Sequence, residues 1–155
     1  MPANDSNPHA YDAGTPVQAV MSRDVLSVDA DTTLGAAREQ MRLAGVHHLL
    51  VYDRSRLVAV ISDRDLLAHL SPRLGTMAEQ RDDTSTLLRR VFQAASYQPV
   101  TIPCGATIAA AAAILLRHTI SCAPVTDALG EVVGVLTSRD LLGALSRMAP
   151  ERRAS

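Results

Sequence analysis

An internal repeat limits the folds open to this chain more than any other feature of its sequence. When the sequence is shifted by 74 residues, residues 17–22 align with residues 91–96. One extra residue in the second copy changes the shift to 75, and residues 58–67 then align with residues 133–142. Apolar positions match through most of both copies. Each copy is therefore expected to form the same structural unit.

The pattern within one copy predicts the order strand, helix, strand, strand, helix. In the first copy, a short strand at 25–28 precedes a helix over 33–44, whose apolar residues recur at helical spacing. Two apolar strands follow, over 48–52 and 57–61, and a last helix begins at Ser62. One such unit is too small to bury a comfortable core alone. We therefore expect an α/β fold of two β-α-β-β-α repeats packed as a pseudo-two-fold pair.

Two further helices are predicted outside this core pattern. Thr15 as N-cap, Pro16 at the first helical position and Gln18 in a capping box predict a short helix that opens the first repeat. Apolar residues within 87–95 predict an amphipathic helix that leads into the second repeat. The predicted segments are a disordered tail at 1–15, the first repeat at 16–72, a linker and helix start at 73–90, the second repeat at 91–146 and a C-terminal tail at 147–155.

Composition argues against several classes of partner. The net charge is −1 and only 3% of residues are aromatic, so neither a phosphate-binding field nor a base-stacking platform for nucleic acid is expected. The N-terminus lacks the features of a signal peptide, and no apolar run is long enough to cross a membrane. Two cysteines, Cys104 and Cys122, are too few for a disulfide framework. A soluble cytoplasmic protein with no membrane partner is expected.

The second and third strands of each copy lead into a Ser/Thr-x-Arg-Asp segment. Ser62, Arg64 and Asp65 form it in the first copy, and a matching segment begins at Thr137. Free amides at a helix start favour an anion, an arginine can fork onto phosphate, and a carboxylate can accept ribose hydroxyls. The same spacing also forms a capping box, in which the acid only returns to the N-cap amide. Both interpretations stay open on spacing alone.

These segments make the chain resemble a tandem pair of CBS domains, the cystathionine-beta-synthase-type regulatory module. The resemblance covers residues 16–146. Residues 134–141, Gly-Val-Leu-Thr-Ser-Arg-Asp-Leu, match the family's final motif, and residues 59–66 match it in the first copy. Residues 120–125, Ile-Ser-Cys-Ala-Pro-Val, resemble the family's segment that ends in Pro-Val.

The resemblance implies a regulatory protein that binds an adenosine nucleotide (AMP, ADP or ATP) in clefts between the repeats and signals to an unidentified partner protein. S-adenosylmethionine and NAD share the adenosine half and stay open as ligands. A homodimer is expected, through apolar helices at 66–70 and 141–145. The ligand-binding residues implied for the two sites are Leu26, Ser27, His47, His48, Leu50, Ser62, Arg64 and Asp65, and Val100, Thr101, Pro124, Thr137, Arg139 and Asp140.

The first copy departs from the family pattern at two positions. Ala59 stands where the motif prefers glycine, and Leu50 stands where it prefers proline. These departures make the first site the weaker candidate and favour an alternative hypothesis, a structural dimerisation adaptor whose clefts bind no ligand. His47 and His48 occupy the position where AMP-kinase gamma subunits carry phosphate-contacting residues. Neither a metal site nor a catalytic set of residues is predicted, so we expect a protein that is not an enzyme.

Overall fold

The computed structural model of the chain describes residues 11–148. Within them the chain forms two small sheets, each covered by helices, in the order that the sequence predicts for each repeat. The predicted α/β class is confirmed, and the two apolar strands predicted for the first repeat lie within one residue of their predicted bounds.

The first sheet holds four strands in the order β1-β2-β3-β4. β1 and β2 are parallel, whereas β2 pairs antiparallel with β3 and β3 with β4. Its core contains Leu34, Leu49 and Ile61, all essentially inaccessible to solvent. The bounds are β1 Ser27–Asp29, α1 Leu34–Ala44, β2 His48–Asp53, β3 Arg56–Ser62, α2 Asp63–His69, α3 Arg81–Ser85 and β4 Ser96–Tyr97.

The second sheet holds three strands in the order β5-β6-β7, with β5 parallel to β6 and β6 antiparallel to β7. Its core contains Ile102, Val125 and Leu136. Both central hairpins carry an irregularity at the corresponding place, after Val51 and after Val125, as expected for two copies of one unit. The bounds are β5 Ile102–Pro103, α4 Ile108–His118, β6 Cys122–Thr126, β7 Val132–Thr137 and α5 Ser138–Ser146.

The structure has two compact units, and each unit contains the segment that opens the other repeat. One unit comprises residues 25–99, and the other combines residues 11–24 with 100–148. Val17, which opens the first repeat in sequence, is buried in the core of the second sheet. Val91, its counterpart, is buried in the core of the first sheet. Each sheet is therefore completed by the opening segment of the other repeat.

The predicted capping box at the start of the first repeat is wrong. Val17–Ala19 is a single 3-10 turn with Pro16 as its N-cap, and no side chain caps it. The reason is that the amides of Val17 and Gln18 already donate to the carbonyl oxygens of Ala106 and Cys104, at 2.8 and 3.2 Å. Thr15 instead bonds the side chain of Asp12.

The predicted amphipathic helix at 87–95 is also wrong. The chain forms two 3-10 turns, Thr86–Leu88 and Val91–Gln93, separated by extended backbone at Arg89 and Arg90. The backbone of this stretch is instead hydrogen-bonded to the start of α1, where the amide of Leu34 donates to the carbonyl oxygen of Arg89 at 2.8 Å. Residues 11–15 of the predicted tail are hydrogen-bonded to α4 through Ala13 and Thr15, and the rest of both predicted tails, 1–10 and 149–155, lies outside the described residues.

Candidate functional site

The second-repeat site, which we define as Val100, Thr101, Pro124, Thr137, Arg139 and Asp140, is organised by a capping box. One carboxylate oxygen of Asp140, Oδ2, accepts from the Thr137 amide at 2.7 Å and from the Thr137 hydroxyl at 2.8 Å. The Asp140 amide donates back to Thr137 Oγ1 at 3.3 Å. The capping interpretation of this spacing is therefore realised at the start of α5.

Capping uses only half of the carboxylate. Among the described residues, no hydrogen bond reaches the second oxygen, Oδ1, of Asp140. The side chain is only half-buried, and Arg139 beside it is exposed. The acid can therefore cap the helix through Oδ2 and still accept two ligand hydroxyls through Oδ1. The cap and the ligand contact, which spacing presents as alternatives, are compatible.

The first-repeat site, defined as Leu26, Ser27, His47, His48, Leu50, Ser62, Arg64 and Asp65, contains the same box. Asp65 Oδ2 accepts from the Ser62 amide at 2.8 Å and from the Ser62 hydroxyl at 2.7 Å. Arg64 is exposed, as Arg139 is in the second repeat. The two motifs therefore have the same local geometry, and any difference between the sites arises elsewhere.

The strand edges beside the two motifs differ. In the first repeat, Ser27 pairs with Leu50, and the Leu50 amide donates to the carbonyl oxygen of Leu26 at 3.0 Å. In the second repeat the corresponding position is Pro124, which has no amide hydrogen. The carbonyl of Val100 receives no hydrogen bond from the described residues, and β5 is one residue shorter than β1 because this bond is missing.

The side chains at these two strand edges differ in their exposure to solvent. Leu50 and Pro124 are buried, so their side chains contribute packing. Val100 is half-buried, whereas Thr101 and Ser27 are exposed. What the second-repeat strand offers to a ligand is thus an unpaired backbone carbonyl beside an exposed hydroxyl. Sequence reasoning named these residues but not the carbonyl, although the proline that leaves it unpaired is visible in the sequence.

The glycine of the second motif serves packing. A Cβ atom at Gly134 would lie 2.6 Å from the sulfur of Met21 and 2.8 Å from the carbonyl oxygen of Ser22. In the register of the repeat, Gly134 corresponds to Ala59 and Met21 to Ala95, and both alanines belong to or pack against the first core. The first repeat therefore has the larger residue at one position and the smaller residue at the other, which gives the departure at Ala59 an explanation in packing.

Histidines distinguish the first-repeat site. His47 Nδ1 lies 2.8 Å from Asp63 Oδ2, and both side chains are largely exposed. Burial alone would raise the pKa of the Asp63 carboxyl, but hydrogen bonds from His47 and from the Arg64 amide hold that pKa below its usual value. In the second repeat, Ser121 and Ser138 replace this pair. Sequence reasoning missed Asp63, although it directly follows the motif's serine.

His48 on β2 and Cys122 on β6, which directly follow His47 and Ser121, are buried more deeply than those two residues. Burial lowers the pKa of His48, the charge of His47 adds to that shift, and Asp63 and Asp65 oppose it. At the corresponding position Cys122 pairs with Thr137, and burial, with a smaller effect of the Asp140 charge, raises the pKa of its thiol to about 12. His48 therefore favours its neutral form, and Cys122 is a protonated, unreactive thiol.

Residues 11–148 contain no cluster of three or more histidine, cysteine or acidic side chains that could hold a metal ion. Within the same residues, every helix is too short or too polar to span a bilayer.

Comparison with known proteins agrees with the fold and the motifs. The sequence profile of the CBS domain matches residues 17–72 and 91–147. A CBS domain-containing protein of Dictyostelium discoideum is 32% identical over 134 residues, which cover 85% of this chain and 92% of that protein.

Two solved structures are similar over most of the chain. The crystal structure of CBSX2 in complex with AMP has a TM-score of 0.69 and 28% identity, covering 86% of this chain and 97% of that one. CBSX2 is a CBS-pair protein of Arabidopsis thaliana. The CBS domain pair of protein MJ0100, in complex with 5′-methylthioadenosine and S-adenosyl-L-methionine, has a TM-score of 0.70 over 85% of this chain and 96% of that one. Its 18% identity makes it a match of fold alone.

A repeated β-α-β-β-α unit with a capped Ser/Thr-x-Arg-Asp motif at each final helix defines a class of tandem-repeat α/β proteins. Together with the profile matches over both repeats, it shows that this chain belongs to the CBS domain family. The resemblance seen in the sequence is confirmed.

Proposed function

We propose that this chain is a regulatory CBS-pair protein that binds an adenosine nucleotide of the AMP, ADP or ATP class at the second-repeat site and signals its occupancy to a partner protein. The observation that carries the proposal is the free Oδ1 of Asp140 beside an exposed Arg139. A carboxylate oxygen accepts ribose hydroxyls, and an arginine forks onto phosphate. The similarity to CBSX2, whose crystal structure is a complex with AMP, supports the same ligand class.

The backbone supports adenine in particular. An adenine amino group is a hydrogen-bond donor, and the Val100 carbonyl is an acceptor that Pro124 leaves unpaired. In the first repeat the corresponding carbonyl, that of Leu26, already accepts a hydrogen bond from the Leu50 amide. We therefore propose that the second-repeat site binds adenosine nucleotides more tightly than the first-repeat site does.

The regulatory output follows from linkage. A nucleotide that binds one conformation better than another shifts the population toward it, and the surface shown to a partner changes accordingly. The proposed role is therefore regulatory, and no catalytic step is part of the proposal.

A structural dimerisation adaptor is the second candidate function. The observation that favours it is the exposure of three leucines on α4 and α5: Leu116, Leu142 and Leu145 are 81%, 65% and 60% exposed. Of the helix at 66–70, expected to be exposed as well, Leu66 and Leu70 are buried in the first core, and the other leucine, Leu67, is 65% exposed. An adaptor would use these leucines without any ligand.

A thermal-shift titration followed by calorimetry separates the two functions. A ligand that binds only the folded state adds about 2.7 kcal/mol at 100 times its dissociation constant, which raises Tm by several degrees in a chain of this size. We expect AMP, ADP or ATP to raise Tm and GMP to raise it less. If none of the five ligands AMP, ADP, ATP, S-adenosylmethionine and NAD shifts Tm at millimolar concentration, the nucleotide proposal is wrong and the adaptor is favoured.

A further inference from the structure

The open edge of the first sheet is covered by a side chain of α1. β1 is an edge strand of that sheet, and the Leu26 carbonyl just before it is turned toward β2, where it accepts from the Leu50 amide. Successive carbonyls along an extended chain point in opposite directions, so the Ser27 carbonyl is turned away from β2. The side-chain amide of Gln40 donates to this carbonyl oxygen at 3.1 Å. Both carbonyls that the strand contributes to the first-repeat site are therefore occupied.

The corresponding edge of the second sheet is open. In the register of the repeat, Thr101 corresponds to Ser27 and Ile114 to Gln40. The Ile114 side chain has no hydrogen-bonding group, and it packs against the second core. Within residues 11–148, no hydrogen bond reaches the Thr101 carbonyl. The two repeats therefore differ at the outward carbonyl as well as at the inward one, which Pro124 leaves unpaired.

The contact of Gln40 is not required to build the repeat. α1 and α4 are both 11 residues long, and α4 forms with an isoleucine at this position. The Gln40 amide makes no other hydrogen bond with the described residues. A carbonyl at an exposed edge can bond to water instead, so the fold has little need of this bond. What the amide does is fill the strand edge of the first-repeat site.

We propose that Gln40 is a specificity-determining residue that closes the first-repeat site to adenosine nucleotides, with its amide in the place of a ligand donor at the Ser27 carbonyl. A nucleotide that used this carbonyl has to break the Gln40 bond first, and the exchange of one hydrogen bond for another yields little net affinity. The first-repeat site keeps its capping box and Arg64, but its strand edge offers no open acceptor. This inference rests on the proposed function and assigns part of the preference between the two sites to one side chain.

The test is isothermal titration calorimetry of the full chain with AMP, in two reciprocal exchanges. Gln40→Met keeps the length of the side chain and removes its amide. The affinity of the first-repeat site for AMP should therefore rise by about two- to tenfold, the equivalent of one neutral hydrogen bond. This measurement is made in the Asp140→Asn background, in which the second-repeat site is weakened. Weaker binding after Gln40→Met would show that Gln40 contacts the ligand itself, and it would overturn the inference.

The reciprocal exchange is Ile114→Gln, which places an amide beside the Thr101 carbonyl in the register of Gln40. It should weaken AMP binding at the second-repeat site by about two- to tenfold. Ile114→Met is the matched control, because it makes a similar change of shape without a donor, and it should change the affinity less than Ile114→Gln does. Unfolding in urea separates a loss of folding from the loss of an acceptor, since the two variants should be about equally stable.

Two results overturn the inference: equal affinity of Ile114→Gln and Ile114→Met for AMP, or no gain at the first-repeat site after Gln40→Met. Failure of the proposed function looks different. If the wild type binds no AMP at millimolar concentration, both the function and the inference are wrong. If it binds AMP and neither exchange changes the affinity, the inference alone is wrong.

Discussion

The backbone amide of Leu50 donates to the carbonyl oxygen of Leu26 at 3.0 Å, a bond that the second repeat lacks. Pro124 occupies the corresponding place in the second repeat, so the carbonyl of Val100 keeps its capacity to accept. A proline inside a strand pair removes one hydrogen bond from the ladder. Here the lost bond leaves a backbone acceptor open just before β5.

Replacing Pro124 with leucine, the residue of the first repeat, should restore the missing amide and occupy the Val100 carbonyl. If that carbonyl accepts from adenine, the affinity for AMP should fall by about two- to tenfold, the equivalent of one neutral hydrogen bond. Isothermal titration calorimetry measures this change, and Pro124→Ala, which supplies an amide without the larger side chain, should behave alike.

A ligand variant checks the cause. Purine riboside 5′-monophosphate lacks the amino group, so the wild type should bind it less well than AMP. The Pro124→Leu protein should distinguish the two ligands much less. If both proteins discriminate equally, the Val100 carbonyl does not contact the adenine amino group.

The replacement Asp140→Asn should separate the two duties of this carboxylate. The amide side chain keeps one oxygen for the Thr137 amide and hydroxyl, so the helix cap survives. Its nitrogen cannot accept from ribose, and charge-assisted bonds worth about 1.5–3 kcal/mol are lost. Affinity for AMP should therefore fall by about 10- to 150-fold while the free energy of unfolding changes by less than about 1 kcal/mol.

Asp65→Asn is the matched control, because Asp65 forms the same box in the first repeat. It should affect AMP binding less than Asp140→Asn does, since we propose the second-repeat site as the tighter one. A 2′-deoxyribose ligand gives an independent check. Equal discrimination against it by the wild type and by Asp140→Asn would assign Asp140 to the helix cap alone.

Gly134→Ala should destabilise the fold by about 1–3 kcal/mol, because its Cβ would meet Met21 and the Ser22 carbonyl. Gly143→Ala provides the control within the same unit: no heavy atom lies within 4 Å of its Cβ position in α5, so it should stabilise by up to about 1 kcal/mol. Adding Met21→Ala to Gly134→Ala should recover part of the loss, because the double variant then carries the same two alanines that the first repeat has at Ala95 and Ala59. Urea unfolding measures all three, and a neutral Gly134→Ala would show that the strand shifts freely.

Local features of the chain could be predicted from the sequence. Ser62 and Thr137 are predicted to begin the last helix of each repeat, and they are the N-caps of α2 and α5. Strand pairs and caps depend on residues near each other in the chain, so periodicity and side-chain chemistry identify them. The candidate motifs were found for the same reason.

Features that depend on long-range packing could not be predicted in this way. Val17 and Val91 are both apolar, and two copies with the same pattern offer the same apolar surface to either segment. The sequence therefore did not indicate that each segment packs on the other repeat's sheet. Likewise, the break at Arg89 and Arg90 arises because the loop before α1 binds their backbone, and no local propensity reports such a contact.

We expect the chain to form a homodimer through the exposed leucines of α4 and α5. Replacing Leu142 and Leu145 with glutamate should convert it to a monomer, since buried charges oppose an apolar interface. Leu129→Glu is the control, because Leu129 is 87% exposed in the turn between β6 and β7 and belongs to neither helix. Light scattering at micromolar concentration should give the mass of two chains for the wild type and the control. A single-chain mass for the wild type would contradict the expected homodimer.

Cys122 should resist thiol reagents in the folded protein. With a pKa of about 12, roughly one thiol in ten thousand is ionised at pH 8, and only the thiolate reacts. In a Cys104→Ser variant, which leaves Cys122 as the sole cysteine, reaction with dithiobis(nitrobenzoate) should proceed no faster than unfolding. Rapid labelling of this variant before unfolding would contradict the buried, protonated thiol.

The same shift predicts a dependence of stability on pH. The folded state holds the thiol proton more tightly than the unfolded state, whose thiol has its ordinary pKa of 9.0. The contribution of the protonated Cys122 thiol to the free energy of unfolding is therefore complete below pH 9 and is lost as the pH rises through 9 toward 12. The free energy of unfolding of the wild type should fall over that window more steeply than that of Cys122→Ala, which has no thiol to ionise. Parallel curves for the two proteins would show that burial of Cys122 does not affect its ionisation.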